Sequence, residues 1–126
     1  MTDTMRALRA FLTQTGLPVY LEGQIPDGAA FPYAAYSLTA GGFGEPVPAR
    51  VTGWYRGPGA NGEAAAFLDR LTALIPGGGA RLTLPSGLMT LHLNERSAVT
   101  DGDAVGGRAL LEARLYALPP TISKEG

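Results

Sequence analysis

The chain has 126 residues, with 10 basic and 11 acidic side chains and no cysteine. This length corresponds to one domain, and the lack of cysteine excludes disulfides and thiolate metal sites. The near-neutral charge predicts neither base-specific nucleic-acid binding nor attraction to an anionic membrane. No apolar run approaches the ~20 residues of a membrane helix. The N-terminus has no apolar signal core either, so we expect a cytoplasmic location.

The first elements are predicted to be a helix and an edge strand. Residues 3–15 place apolar side chains on one helical stripe and are followed by Gly16, a residue suited to a left-handed helix stop. Residues 17–21 predict a short strand. Pro18 lacks an N–H, and this confines the strand to an edge or the proline to the strand's start.

A proline-rich turn predicts the entry into the next strand. Pro26-Asp27-Gly28 has the composition of a tight turn, and Pro32 disfavours helical backbone at Phe31. Tyr33 to Leu38 then alternates as a strand does. Pro32 is expected at the first residue of this strand or on an edge, because it cannot donate to a ladder.

The middle of the chain predicts a loop, a strand and a second helix. Residues 40–49 are too interrupted by Gly and Pro for regular structure, and residues 50–56 form the following strand. Asn61 is a candidate cap for the helix. Its core-facing stripe is expected to be Ala64, Phe67, Leu68, Leu71, Leu74 and Ile75. Pro76 and the following glycines end it.

The C-terminal part predicts a hairpin, a second long loop and a last strand. The hairpin joins residues 81–84 to residues 88–94 through a Pro-Ser-Gly turn. Residues 97–107 are polar and Gly-rich and are expected to be a loop. Residues 108–118 form the last strand, and residues 119–126 a flexible tail.

These elements predict an α+β fold: a mainly antiparallel sheet of five to six strands with two helices packed on one face. Residues 1–118 are expected to form a single domain, because neither a repeat nor a linker divides them.

The residues that could take part in catalysis or ligand binding give only weak indications of such a function. His92 lies between two leucines in a strand and has no sequence neighbour that would make it a base or a ligand. Asp101 to Glu112 superficially fits a calcium loop, but the fifth position is Val105 and Glu112 falls in a strand. The glycines of residues 41–44 lack the Lys-Ser/Thr of a phosphate loop. We therefore expect no catalytic residues, no metal and no cofactor.

The order of elements and their motifs resembles the tail terminator, or tail completion, proteins of long-tailed bacteriophages, including minor tail or minor capsid proteins. The resemblance covers residues 3–118. Its most specific part is the stretch around Pro26-Asp27-Gly28 and Phe31-Pro32-Tyr33. The aromatic pair Trp54-Tyr55, the Ala-rich second helix and the Asp-rich segment before the last strand agree with it.

This resemblance implies a virion protein of the tail or neck, assembled in the host cytoplasm. It implies a homo-oligomeric ring, usually of six copies, that caps the tail tube, ends its polymerisation and presents a head-joining surface. The implied partners are other copies of the chain, the tail tube protein and head–tail connector proteins.

Contacts with these partners are expected from the two long loops, residues 41–48 and 97–107, with anchor residues from the strand between them chosen by residue type. The candidate interface residues are Phe43, Glu45, Arg50, Trp54, Arg56, Asp101 and Asp103. Two other interpretations remain. One is a head–tail connector or head-closure subunit, and the other is a small ligand-binding or enzymatic α+β domain.

Overall fold

The computed structural model describes residues 3–39, 45–85 and 87–117. The predicted flexible tail lies outside these residues. The elements, in chain order, are α1 (Asp3–Leu12), β1 (Val19–Leu21), β2 (Tyr33–Leu38), β3 (Pro46–Arg56), α2 (Ala60–Leu74), β4 (Ala80–Leu84), β5 (Gly87–Asp101) and β6 (Ala104–Ala117). A short 3-10 turn, Thr13–Thr15, extends α1 to Gly16, whose φ of 86° is the expected left-handed stop.

The described strands form one six-stranded sheet in the order β1-β2-β3-β6-β5-β4. The pair β1–β2 is parallel, and the other four pairs are antiparallel. The α+β class and the mainly antiparallel sheet are thus confirmed. The last strand, β6, lies in the middle of the sheet, where it joins the N-terminal strands to the β4–β5 hairpin.

Both helices lie over one face of the sheet. The middle of the sheet is covered by α2, which contacts β3 and β6, whereas α1 contacts the two terminal strands, β4 and β1. The predicted stripe of α2 is buried at Ala64, Phe67, Leu68 and Leu71, and Ile75 is buried just after the helix. Leu8 and Leu12 of α1 are fully buried in the same core. The face of the sheet away from the helices is called the outer face below.

The prediction of a loop over residues 97–107 is wrong. These residues are the distal ends of β5 and β6, joined by the tight turn Gly102-Asp103. Gly102 is the first of the two central residues of this turn and has a φ of 62°. In type II′ hairpin turns this position requires a positive φ and is usually glycine. The segment looked like a loop because Gly106 and Gly107 resemble breakers. Both instead lie in β6, where close neighbours leave no room for a side chain.

The predicted loop over residues 40–49 is also partly wrong, because β3 begins at Pro46. Pro48 accepts a hydrogen bond at its carbonyl from the Thr39 N–H, on the β2 side of β3. Its missing N–H falls on that same side, so the ladder between β3 and β6 is not interrupted. Residues 40–44 lie outside the described part of the chain.

The start of α2 differs from the prediction in one respect. The helix begins at Ala60, and the residue before it is Gly59, with a φ of 84°. Asn61 is therefore inside the first turn and does not cap the helix. The Gly59 carbonyl accepts the Glu63 N–H, which begins the helical hydrogen-bond series.

Candidate interaction surfaces

Three of the predicted interface residues lie on the outer face of β3. Residues of a strand point alternately to the two faces of a sheet, so Arg50, Trp54 and Arg56 share one face. The opposite orientation of Gly53 identifies that face, because a Cβ atom at Gly53 would point at Phe67 of α2. Arg50 and Trp54 are half-buried and Arg56 is exposed.

Arg56 connects three separate segments at one end of this face. Its guanidinium carbon lies 4.1 Å from the centroid of the Phe31 ring, and its Nε lies 3.1 Å from Oδ1 of Asp103 in the β5–β6 turn. The Phe31–Pro32 peptide bond is cis, and β2 begins directly after it at Tyr33. Arg56 thus combines an ion pair with a cation–π contact, the two interactions for which a planar guanidinium is suited.

An aromatic cluster continues from Arg56 across the outer face. The ring centroids of Phe31 and Tyr33 are 5.1 Å apart, and those of Tyr33 and Tyr20 are 5.8 Å apart. Trp54 lies opposite Tyr33 in the β2–β3 register. Phe31, Tyr33, Tyr20 and Trp54 are half-buried. Clusters of this composition, with an arginine beside them, are typical of protein contact surfaces.

Arg50 forms a two-pronged ion pair with Glu22, with its Nε 3.0 Å from Oε2 and its terminal nitrogen bonded to Oε1. The hydrogen bond and the charge of Glu22 raise the pKa of the Arg50 guanidinium above its ordinary value, and burial opposes this only in part. Beside the pair, the outer face has a groove of about 560 Å³. Pro48, Leu110 and Glu112 are among its lining residues.

Arg108 lies in the middle of the outer face and donates from Nε to the hydroxyl of Thr52, at 3.0 Å. Thr52 is fully buried although it carries a polar group. Leu110 and Tyr116 extend the face along β6 and are 37% and 43% exposed, so apolar side chains remain accessible here. The sequence predicted that Tyr116 points away from the core, but none of Arg108, Leu110 and Tyr116 was predicted as an interface residue.

The remaining predicted interface residues are spread along the molecule. Asp101 and Asp103 lie at the exposed tip of the β5–β6 hairpin, and Asp103 alone of these two pairs with Arg56. Glu45 is exposed and immediately precedes β3, at the opposite end from Arg56. Phe43 lies outside the described residues. The structure therefore brings Arg56 and Asp103 together but does not gather the six described candidates into one cluster.

A second surface lies on another side of the molecule, between α1 and β4. It is a shallow groove of about 370 Å³, lined by Ala7, Ala10, Phe11 and Gln14 from the helix and by Arg81, Leu82 and Thr83 from the strand. We call it the α1–β4 groove. Since β4 is a terminal strand of the sheet, one of its edges is not paired with any strand in the described part of the chain.

The described residues contain no group of three or more His, Cys, Asp and Glu side chains that could hold a metal ion. His92 is exposed and lies opposite Glu112 in the β5–β6 register, inside a regular strand pair. Glu112 is likewise a strand residue, as expected. Within residues 3–39, 45–85 and 87–117, no helix is both long and apolar enough to cross a membrane.

Comparison with known proteins gives a match in structure but not in sequence. No protein-family model matches the chain, and no curated protein matches it in sequence. Among solved structures, it resembles a chain from the virion of a native gene transfer agent (GTA) particle. The TM-score is 0.59 at 20% sequence identity, and the match covers 91% of this chain and 98% of the other. The two chains share a fold over nearly their whole lengths.

Proposed function

We propose that the chain is a structural protein of a phage-like virion and acts as its tail terminator. In this role, a ring of copies, six in number, caps the tail tube, ends tube polymerisation and presents a surface for joining the head. The observation that carries the proposal is the shared fold with a chain of a gene transfer agent virion, which extends over almost the entire length of both chains. The element order of residues 3–118 points in the same direction.

The geometry supports a protein that works through its surfaces. A closed ring with rotational symmetry needs two different patches on each copy, because each contact joins unlike surfaces. The outer face and the α1–β4 groove are two such patches on different sides of the sheet. In addition, the strand edges of β4 and of distal β5 are open to pairing among the described residues.

A structural role without catalysis agrees with the charged residues of the outer face. Arg50 is paired with Glu22 and Arg56 with Asp103. Such pairs keep charges satisfied and oriented at a surface, as in the polar parts of protein interfaces. We therefore propose other virion proteins as the partners, with no small substrate.

A head–tail connector or head-closure subunit is the alternative favoured by the same observation, because the similar chain belongs to a whole virion particle. The two functions differ in the partner that is bound: the end of a tail tube or the portal side of the neck. A small ligand-binding or enzymatic domain is a third possibility, with the 560 Å³ groove as its site. It would require a small molecule to bind there at a defined stoichiometry.

The test is incubation of the purified protein with tail tubes, or with self-polymerising tube protein, followed by negative-stain microscopy. We expect rings at tube ends and a narrower distribution of tube lengths. Trp54→Ala and Arg56→Ala should weaken capping, whereas Ala65→Ser, on the exposed face of α2, is the matched control. Tubes that grow freely with bare ends would exclude the terminator function for that tube protein. Binding to the portal side would then favour the connector.

A further inference from the structure

The α1–β4 groove is lined by apolar and polar residues, of which one is charged. Ala7, Phe11 and Leu82 are among the apolar ones, and the charged residue, Arg81, borders the groove from β4. Alternation along β4 turns the Arg81 side chain opposite to the buried Leu82, so its charge lies at the open edge of the sheet beside the groove. Arg81 is exposed and forms no ion pair with any described residue. Beside it runs the unpaired edge of β4, residues Ala80–Leu84. The groove therefore suits an occupant that brings a carboxylate and a strand edge together.

The distal β5–β6 hairpin has both of these features. Because β4 pairs with β5 only as far as Leu91, the rest of β5, to Asp101, has an edge without a partner among the described strands. Asp101 is exposed at the end of this edge and, unlike Asp103, takes part in no ion pair within the described chain. Two unpaired strand edges can join by main-chain hydrogen bonds, with side chains selecting the register.

The hairpin cannot reach the groove of its own chain. Arg81 lies opposite Thr90 in the β4–β5 register, and β5 then continues in the extended conformation from Thr90 to Asp101. At about 3.3 Å per residue, this places Asp101 roughly 35 Å from Arg81. An ion pair between them requires two copies.

We propose that the α1–β4 groove of one copy receives the β5–β6 hairpin tip of the next copy, with Asp101 facing Arg81. Each copy has one groove and one tip, so the contact joins unlike surfaces and can repeat around a ring. The charges at the two surfaces are opposite. The proposal assigns residues to a contact within the ring proposed above. It rests on that function only in requiring that copies of the chain associate.

The absence of cysteine in the chain permits a direct test by cross-linking. Arg81→Cys and Asp101→Cys variants, one of them carrying a size tag, are mixed and treated with a short bismaleimide, both alone and with tail tubes. We expect cross-linking between the two variants at least tenfold faster than in the control mixture of Arg81→Cys with Ala65→Cys. The double variant should give a ladder of covalent oligomers. No excess over the control in either condition would overturn the proposal.

Charge reversal provides a second, independent readout by analytical ultracentrifugation. Arg81→Asp and Asp101→Arg should each weaken self-association about tenfold, and combining both in one chain should restore it. Failure of the combination to recover association would contradict the pairing. Tubes capped without this cross-link would leave the terminator function intact and exclude the contact. The cross-link without capping would support the contact and exclude the terminator function.

Discussion

Oδ1 of Asp103, at the tip of the β5–β6 hairpin, lies 3.1 Å from Nε of Arg56 at the end of β3. The same guanidinium covers the ring of Phe31, so one side chain connects the hairpin tip to the segment before β2. Both partners of the ion pair are more than half exposed. The contact therefore determines the position of the tip more than it determines global stability.

Arg56→Ala should lower the free energy of unfolding by only about 1 kcal/mol, since exposed ion pairs and cation–π contacts are weak. Amide hydrogen exchange at the hairpin tip should become up to about fivefold faster, the change in local opening that about 1 kcal/mol allows. Arg56→Lys is the informative control, because lysine keeps the charge but lacks the planar group that stacks on Phe31. Unchanged exchange at the tip in Arg56→Ala would show that the contact does not hold the hairpin.

Gly53→Ala should destabilise the fold by about 1–3 kcal/mol through overpacking. A Cβ atom at Gly53 would lie 2.6 Å from Cγ of Phe67, in the buried contact between β3 and α2. Denaturation with urea measures the loss. Gly62→Ala, at an exposed position of α2 with nothing within 4 Å, should instead stabilise by about 0.5–1 kcal/mol through helix propensity. Similar effects at the two sites would contradict the packing argument.

Tyr36→Phe should not destabilise the protein at neutral pH and should raise its free energy of unfolding by about 1 kcal/mol. The hydroxyl of Tyr36 is buried and has no hydrogen-bond partner among the described residues, so its removal ends a desolvation cost. Thermal melts of the two proteins test this. A loss of several kcal/mol would indicate that the hydroxyl makes a stabilising contact.

The same residue predicts a pH dependence. Burial raises the pKa of Tyr36 above its ordinary value of 10.0, and the charge of Arg9 opposes this in part. The Tyr36 hydroxyl therefore loses its proton at a lower pH in the unfolded state than in the folded state. Below the unfolded pKa this difference does not reduce stability, but as the pH rises from the unfolded pKa to the folded pKa the unfolded state is increasingly favoured. Above about pH 10, wild type should therefore lose stability faster than Tyr36→Phe. If the stability of wild type and of Tyr36→Phe fell equally with rising pH, the raised pKa of Tyr36 would be contradicted.

The pair of Glu22 and Arg50 should show a coupling energy of about 0.5–1 kcal/mol in a double-mutant cycle with alanine. The two-pronged geometry places this coupling energy at the upper end of the range for partly exposed ion pairs. Because salt screens exposed charges, the coupling should decrease between low and high ionic strength. The matched control is the helix pair Asp3–Arg6, which should show less coupling.

Periodicity was sufficient to predict much of the fold, and helical spacing identified the buried stripe of α2. Arg50, Trp54 and Arg56 were chosen by residue type and by their position beside a long loop, and it is the structure that places them on one face of β3. Periodicity could not predict that Asp103 meets Arg56, since that contact depends on the position of β6 between β3 and β5. Glu22 was missed for the same reason: its partner, Arg50, is 28 residues away in the sequence.

Glycine was the residue that misled the sequence analysis. A Cβ atom at Gly106 would lie 2.6 Å from Cγ2 of Thr52 on the outer face, and one at Gly107 would lie 2.5 Å from the carbonyl oxygen of Ala64 on the helix face. The two glycines thus allow close approach from both sides of β6. Composition alone does not distinguish this use of glycine from its use in loops.

The position of α1 has a consequence for how the chain folds during synthesis. This helix is translated before every strand of the sheet, yet it contacts β4 as well as β1, and β4 does not exist until residues 80–84 have been translated. Until then, Leu8 and Leu12, fully buried in the finished protein, lack part of their packing surface. Nascent chains stalled before β4 should therefore depend on chaperones, and release from that dependence should coincide with the emergence of the β4–β5 hairpin.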